Sequence, residues 1–164
     1  MSENIADSVD YKEVTTLEQL EELVALGKRH YEEVESRAAK MVFDLDIGTI
    51  VNMVDLGQIK IFGVYLEDVL IGYCAGYIGR DLYNKNALAE IFALFVEKDY
   101  RRSNIAETVL YLFEDCISEH TDVTFLMSFQ IGHNTHFPDR VGYKAEEIRY
   151  QKIVLNGQED HNEG

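Results

Sequence analysis

EIFALFVEKDYRRSNIAE, residues 90–107, changes its periodicity part-way along. Glu90 to Val96 is short, apolar and rich in aromatic and aliphatic side chains, as a buried strand should be. A polar turn follows, Glu97-Lys98-Asp99-Tyr100, and then Arg101-Arg102-Ser103-Asn104. From Ile105 the apolar residues take helical spacing, through Val109, Leu112, Phe113 and Cys116. The pattern predicts a strand, a cationic turn and the start of a helix. A helix N-terminus offers unpaired N–H groups and the positive end of a dipole, and so seats an anion. Arg101 and Arg102 add guanidinium forks that match phosphate oxygens.

The 164 residues suit one domain, long enough to bury roughly 70% of the unfolded surface. Residues 1–9 are expected to form a loose leader, 10–156 the folded domain and 157–164 a polar tail. No apolar run approaches a bilayer span, and the N-terminus is acidic where a signal peptide would be basic and then apolar. A cytoplasmic protein without membrane contact is the expectation. Cys74 and Cys116 sit in apolar segments without metal spacing, so buried free thiols are expected, which fits a reducing compartment. The net charge of −15 argues against a nucleic-acid partner and favours cationic ligands such as amines or basic proteins. The plainer reading of that charge is solubility.

Taken in order, Tyr11–Val14 reads as a short strand. Thr15-Thr16, with Glu18 and Gln19 three residues on, reads as a capping box opening a helix to about Ser36, with Leu17, Leu20, Val24, Tyr31 and Val34 on its apolar face. A second helix is expected from Asp46 to Leu56, stopped by Gly57. Two strands, Gln58–Leu66 and Val69–Ile78, flank Glu67-Asp68 as a hairpin, and Gly79–Asn86 is a loop. The helix after Asn104 is expected to run to about His120, with Glu107 closing a second capping box. Thr124–Gln130 and the segment from Tyr143 read as strands, and Gly132–Gly142, which holds the sole proline, Pro138, is not assigned.

Arg101-x-x-Asn104-x-Ala106, following the strand end Leu94-Phe95-Val96, resembles the pyrophosphate loop of the GNAT superfamily of N-acetyltransferases, Gln/Arg-x-x-Gly-x-Gly/Ala. Asn104 replaces the central glycine, and asparagine is among the few residues that visit the left-handed region readily. The element order also matches, as do the Val141-Gly142-Tyr143 turn and Tyr150-Gln151-Lys152 near the end. The resemblance implies a single α/β (α+β) domain. Its central mixed, mostly antiparallel sheet would be flanked by helices and splayed between the fourth and fifth strands.

The resemblance further implies acetyl-CoA as co-substrate and an amine, expected to be cationic, as acceptor; a homodimer is a further expectation. The main chain of Leu94, Phe95 and Val96 would hold the pantetheine arm, with the N–H near Leu94 polarising the acetyl carbonyl. Arg101, Arg102, Ser103, Asn104, Ile105 and Ala106 would seat the pyrophosphate, with Asn134 contributing to cofactor binding. Glu90 stands where some members carry a general base, and a partly buried carboxylate suits taking a proton from an ammonium. Strand-end solvation or an ion pair explains a glutamate there equally well.

Family members often place a tyrosine, the acid for the departing thiolate, where this chain has Pro138. His133, His136, Tyr143 or water are the alternatives, and nothing in the sequence selects among them. His133-x-x-His136 without a third ligand does not make a metal site. A competing function is a catalytically inactive protein of the same fold that binds or blocks a basic partner, such as a phage-type effector or nucleic-acid mimic. Asn104, Pro138 and the acidic charge are its support. The acceptor pocket is expected between the first two helices and the 132–142 loop.

Overall fold

Five strands lie side by side in chain order in a computed structural model that describes residues 8–34, 42–101, 103–128 and 136–145. They are β1 (Val9–Glu13), β2 (Ile59–Leu66), β3 (Val69–Arg80), β4 (Ala87–Val96) and β5 (Val123–Met127). The helices are α1 (Leu17–Val34), α2 (Ile47–Asp55), α3 (Ile105–Ser118) and the short α4 (His136–Arg140). β1 to β4 pair antiparallel, and β5 joins β4 in parallel. A parallel neighbour requires a crossover, which α3 supplies. This is the mixed, mostly antiparallel sheet flanked by helices that the family resemblance implies.

Local chemistry sets the element ends. Thr16 and Gln19 form the capping box of α1: Thr16 Oγ1 accepts from the Gln19 N–H at 3.3 Å, and Gln19 Oε1 accepts from the Thr16 N–H at 3.1 Å. Asp46 caps α2 by accepting from the Thr49 N–H at 3.0 Å, and Gly57 leaves the helix at φ +69°. Glu67 and Asp68, at φ 49° and 63°, make the two-residue left-handed turn between β2 and β3. β3 and β4 run further than expected, to Arg80 and back to Ala87, because their pairing continues through Arg80↔Ala87.

Two expectations for α3 need correction. Asn104 is its N-cap at φ −80°, outside the left-handed region, and its side chain makes no cap hydrogen bond. Glu107 does not close a capping box; it pairs with Arg140 of α4 at 2.5 Å. The local pattern loses to a cation that the fold brings alongside. The buried face of α1 is also turned from the expected one, towards Leu20, Leu23 and Leu26, leaving Leu17 54% exposed. Pro138 sits within the first turn of α4, where the missing N–H costs no helical bond. The strand expected beyond Tyr143, like the terminal tail, lies almost wholly outside the described residues.

The sheet separates two apolar clusters. On one face, Ile105, Val109, Leu110 and Phe113 of α3 meet Val64, Ile71, Cys74, Ala89 and Ile91. On the other, Leu20, Leu23 and Leu26 of α1 meet Ile59, Ile61, Tyr73, Ala75, Ala93 and Phe95, with the apolar side of α2 laid over them.

Candidate active site

The site begins with an irregularity in β4. Ala93 pairs with Ala75 and Ile91 with Gly76, so Phe92 is one residue too many on its strand, a β-bulge. Pairing with β5 covers Ala87 to Ile91 and stops there. From Phe92 to Val96, β4 has β3 on one side and, among the described residues, no strand on the other. That half-strand carries outward-facing main-chain groups that no described strand pairs, although the Val96 carbonyl is taken by Arg101. It runs directly into the 3₁₀ turn Lys98–Tyr100 and the N-terminus of α3.

At the end of β4 the charged side chains form a ladder to α1. Arg29 pairs with Glu97 at 2.6 Å, and Arg101 holds Glu33 with its two terminal guanidinium nitrogens, at 2.5 and 2.9 Å. Arg101 Nε also donates to the Val96 carbonyl at 2.6 Å, and its guanidinium lies 5.1 Å from the centre of the Phe95 ring. The hydrogen bonds from Arg101 hold the Glu33 carboxyl below the ordinary glutamate range, and Glu33 in turn raises Arg101.

On the α1–α2 side of the bulge a pocket of about 440 Å³ opens. Its aliphatic wall comes from α1, α2 and β2, and its aromatic wall from His30, Tyr31, Phe43, Tyr73, Tyr77 and Phe92. The bulge matters here, because Phe92 and Ala93, adjacent in sequence, both line it. Glu90 lines it too, half-buried and directly across the ladder from Tyr77. His30 Nδ1 lies 2.7 Å from the Tyr73 hydroxyl, and the His30 ring stacks on Phe95 with centres 4.7 Å apart. Among the described residues no three His, Cys, Asp or Glu side chains converge to hold a metal ion.

The model of the acetyltransferase (GNAT) family matches residues 20–135. The chain belongs to the GNAT family. No curated protein matches it. Among solved structures, an aminoglycoside acetyltransferase from an uncultured soil metagenomic sample, in complex with sisomicin, is similar. It has a TM-score of 0.76 and 16% identity over 92% of this chain and 98% of that one. A ribosomal-protein-alanine N-acetyltransferase from Brucella melitensis has a TM-score of 0.65 and 14% identity, over 90% of this chain and 99% of that one. An acetyltransferase from Trypanosoma brucei has a TM-score of 0.70 and 13% identity, again over 90% and 99%. At such identities the likeness is one of fold.

Within this GNAT domain the expected site residues divide. Glu90 is at the pocket, Leu94 is half-buried towards α3, and Phe95 and Val96 are buried. Ile105 is fully buried, so only its main chain can meet a ligand, and Ala106 packs against the same cluster. Ser103 Oγ donates to the Tyr100 carbonyl at 2.7 Å, which tightens the turn. Arg102 and Asn134 lie outside the described residues, as does His133. Of the described alternatives for a general acid, His136 is exposed on α4. Tyr143 donates to Glu114 of α3 at 2.5 Å, away from the pocket, and burial pushes both of these groups up from their ordinary values.

Sequence reasoning missed the aromatic wall and Glu33. The positions of His30, Tyr73 and Phe43 carry no spacing signal, since they come from α1, β3 and the segment before α2.

Proposed function

We propose that this GNAT protein is an N-acetyltransferase that moves an acetyl group from acetyl-CoA to the amine of a cationic acceptor. One observation carries the reading: the half of β4 that, among the described residues, has no strand beyond Ile91 on its β5 side runs from the pocket holding Glu90 to the N-terminus of α3. The residues present fit acetyl-CoA. The open edge from Phe92 to Val96 suits the amides of a pantetheine arm, and the turn with the α3 N-terminus suits a pyrophosphate. Acetyl-CoA would supply the acetyl group as a thioester. Glu90 would take a proton from the acceptor's ammonium, freeing its lone pair to form the C–N bond as the C–S bond breaks, with the sulfur of CoA leaving as a thiolate and taking up the second proton that the nitrogen sheds. The main chain about Leu94 would stabilise the carbonyl oxygen. Holding both reactants beside one strand supplies much of the rate. The similarity to an aminoglycoside acetyltransferase agrees with an amine acceptor. A cytoplasmic setting goes with the reading, since Cys74 and Cys116 are both free thiols.

The bidentate hold of Glu33 on Arg101 favours a second reading, the inactive binder of a basic partner, because it engages a cation expected at the pyrophosphate. Titration calorimetry with acetyl-CoA separates the two. Micromolar affinity, about −8 kcal/mol, that is lost in Arg101→Ala/Arg102→Ala supports the enzyme. In that case Glu90→Gln should keep the affinity and lower kcat by a factor on the order of 10² to 10⁴. Absence of acetyl-CoA binding to the wild type refutes the enzyme reading.

A further inference from the structure

We propose that Glu33 is a built-in stand-in for the cofactor's phosphate: it occupies the Arg101 fork in the free protein, and acetyl-CoA binds by displacing it. This rests on Arg101 belonging to the pyrophosphate seat of the acetyl transfer proposed above. The two carboxylate oxygens of Glu33 accept from the two terminal nitrogens of Arg101, at 2.5 and 2.9 Å. A phosphate offers the same fork the same pair of acceptors, so carboxylate and phosphate compete for one place. The guanidinium is anchored independently of Glu33, because its Nε donates to the Val96 carbonyl at 2.6 Å and the Phe95 ring centre lies 5.1 Å away.

The contact is built for exchange more than for support. The pair is open to water, Arg101 37% and Glu33 42% exposed, and ion pairs so placed are weak. α1 does not depend on it, since one turn earlier Arg29 grips Glu97 and the His30 ring stacks on Phe95. Charge points the same way. Residues 29–33 and 97–101 carry Arg29, Lys98 and Arg101 against Glu32, Glu33, Glu97 and Asp99, and Arg102 brings the sum only to zero. Hydrogen bonds from Arg101 keep Glu33 ionised, so it removes the cationic excess that an arriving anion would meet. A phosphate that takes its place also reaches the N–H groups at the start of α3. Glu33 thus lowers the affinity for acetyl-CoA and, by recapturing Arg101, speeds the departure of CoA.

The test is calorimetric titration of the full chain with CoA at about 0.15 M salt, which screens the general surface charge. Glu33→Ala should bind CoA about fivefold more tightly than the wild type, or better. Glu32→Ala removes the same charge from the next position, where the carboxylate lies 4.0 Å from Lys28, and should change the affinity by less than about twofold. Adding Glu33→Ala to Arg101→Ala should restore nothing, since Glu33 acts through Arg101. Unchanged or weaker binding in Glu33→Ala, equal tightening in Glu32→Ala, or recovery in the double variant each overturns the proposal. Acetyl transfer from acetyl-CoA to a panel of primary amines, measured on the same proteins, keeps the two readings apart. Transfer by a Glu33→Ala protein whose CoA affinity equals that of the wild type refutes the displacement and leaves the transferase standing. Tightened CoA binding in Glu33→Ala with no transfer by any of the proteins does the reverse, and CoA bound by none of them refutes both.

Discussion

The two faces of the sheet are built from similar amino acids and end in different states. Under α3 the packing is closed: Ile105, Val109, Leu110 and Phe113 are all fully buried. There β3 has had to give up a side chain, because a Cβ on Gly76 would stand 2.5 Å from Phe113 Cζ. Under α1 and α2 the packing stops short of closure, α2 has no buried residue, and a pocket remains. The difference follows from what each helix meets. α3 presents four apolar residues to Cys74, Ala89 and Ile91, with Phe137 of α4 closing the same cluster. Between α1, α2 and the sheet, Tyr73, Tyr77 and Phe92 line open space where the other face has α3 packed against it. One face is closed by its helix, and the other gives up contact area and leaves a pocket.

That contrast is most sharply tested by matched truncations. Phe113→Ala should cost about 3–5 kcal/mol, a fall in Tm of roughly 10 °C or more for a chain of this size. Phe43→Ala, half-buried at the pocket, should cost under about 1.5 kcal/mol and instead weaken amine binding. Thermal unfolding of both variants is the measurement, and equal losses would mean that the pocket face is as tightly packed as the other. A smaller effect is expected at the glycines. Gly76→Ala should cost about 1–3 kcal/mol by overpacking, whereas Gly79→Ala, with nothing within 4 Å of its Cβ, should stay within about 0.5 kcal/mol. In a Phe113→Leu background the Gly76→Ala cost should shrink, since the contact it depends on is gone. Urea midpoints of the wild type, the three single variants and the double variant decide it.

The closed face was also the more legible one. β4, the cationic turn and α3 are contiguous, and the change from strand to helical spacing at Ile105 reports them directly. The Glu67-Asp68 turn and the Thr16–Gln19 capping box are equally local. The pocket face depends on long-range matters. The Phe92 bulge is invisible in an apolar run, because alternation in EIFALFV does not say where a residue is left unpaired. Arg101 and Glu33 are 68 positions apart, so their pairing has no sequence signal. Asn104 and Glu107 show the opposite failure: the local pattern was right for a capping box, and Arg140 of α4 claims the carboxylate. The family resemblance supplied the function class from a handful of positions, while the acceptor pocket had to be seen assembled.

The smallest effect separates the two faces by the sign of their pH dependence. Glu33, at the α1 end, has its carboxyl lowered by Arg101 from the ordinary value near 4.5. Its contribution is present above that value and is lost as pH falls through the lowered one. Glu114, on α3, is raised, first of all by burial, although the hydrogen bond from Tyr143 works the other way. In that case the folded state holds the proton more tightly than the unfolded one. The cost is fully present above the raised value and is relieved as pH falls towards 4.5. Urea midpoints between about pH 7 and pH 3 should therefore move in opposite directions. Glu33→Gln should flatten the acid loss of stability, and Glu114→Gln, whose amide oxygen can still accept from Tyr143, should steepen it. Because the Glu33 pair is largely exposed, its share is under about 1 kcal/mol and shrinks with salt. If both variants shift the acid limb the same way, the asymmetry between the faces is one of packing alone.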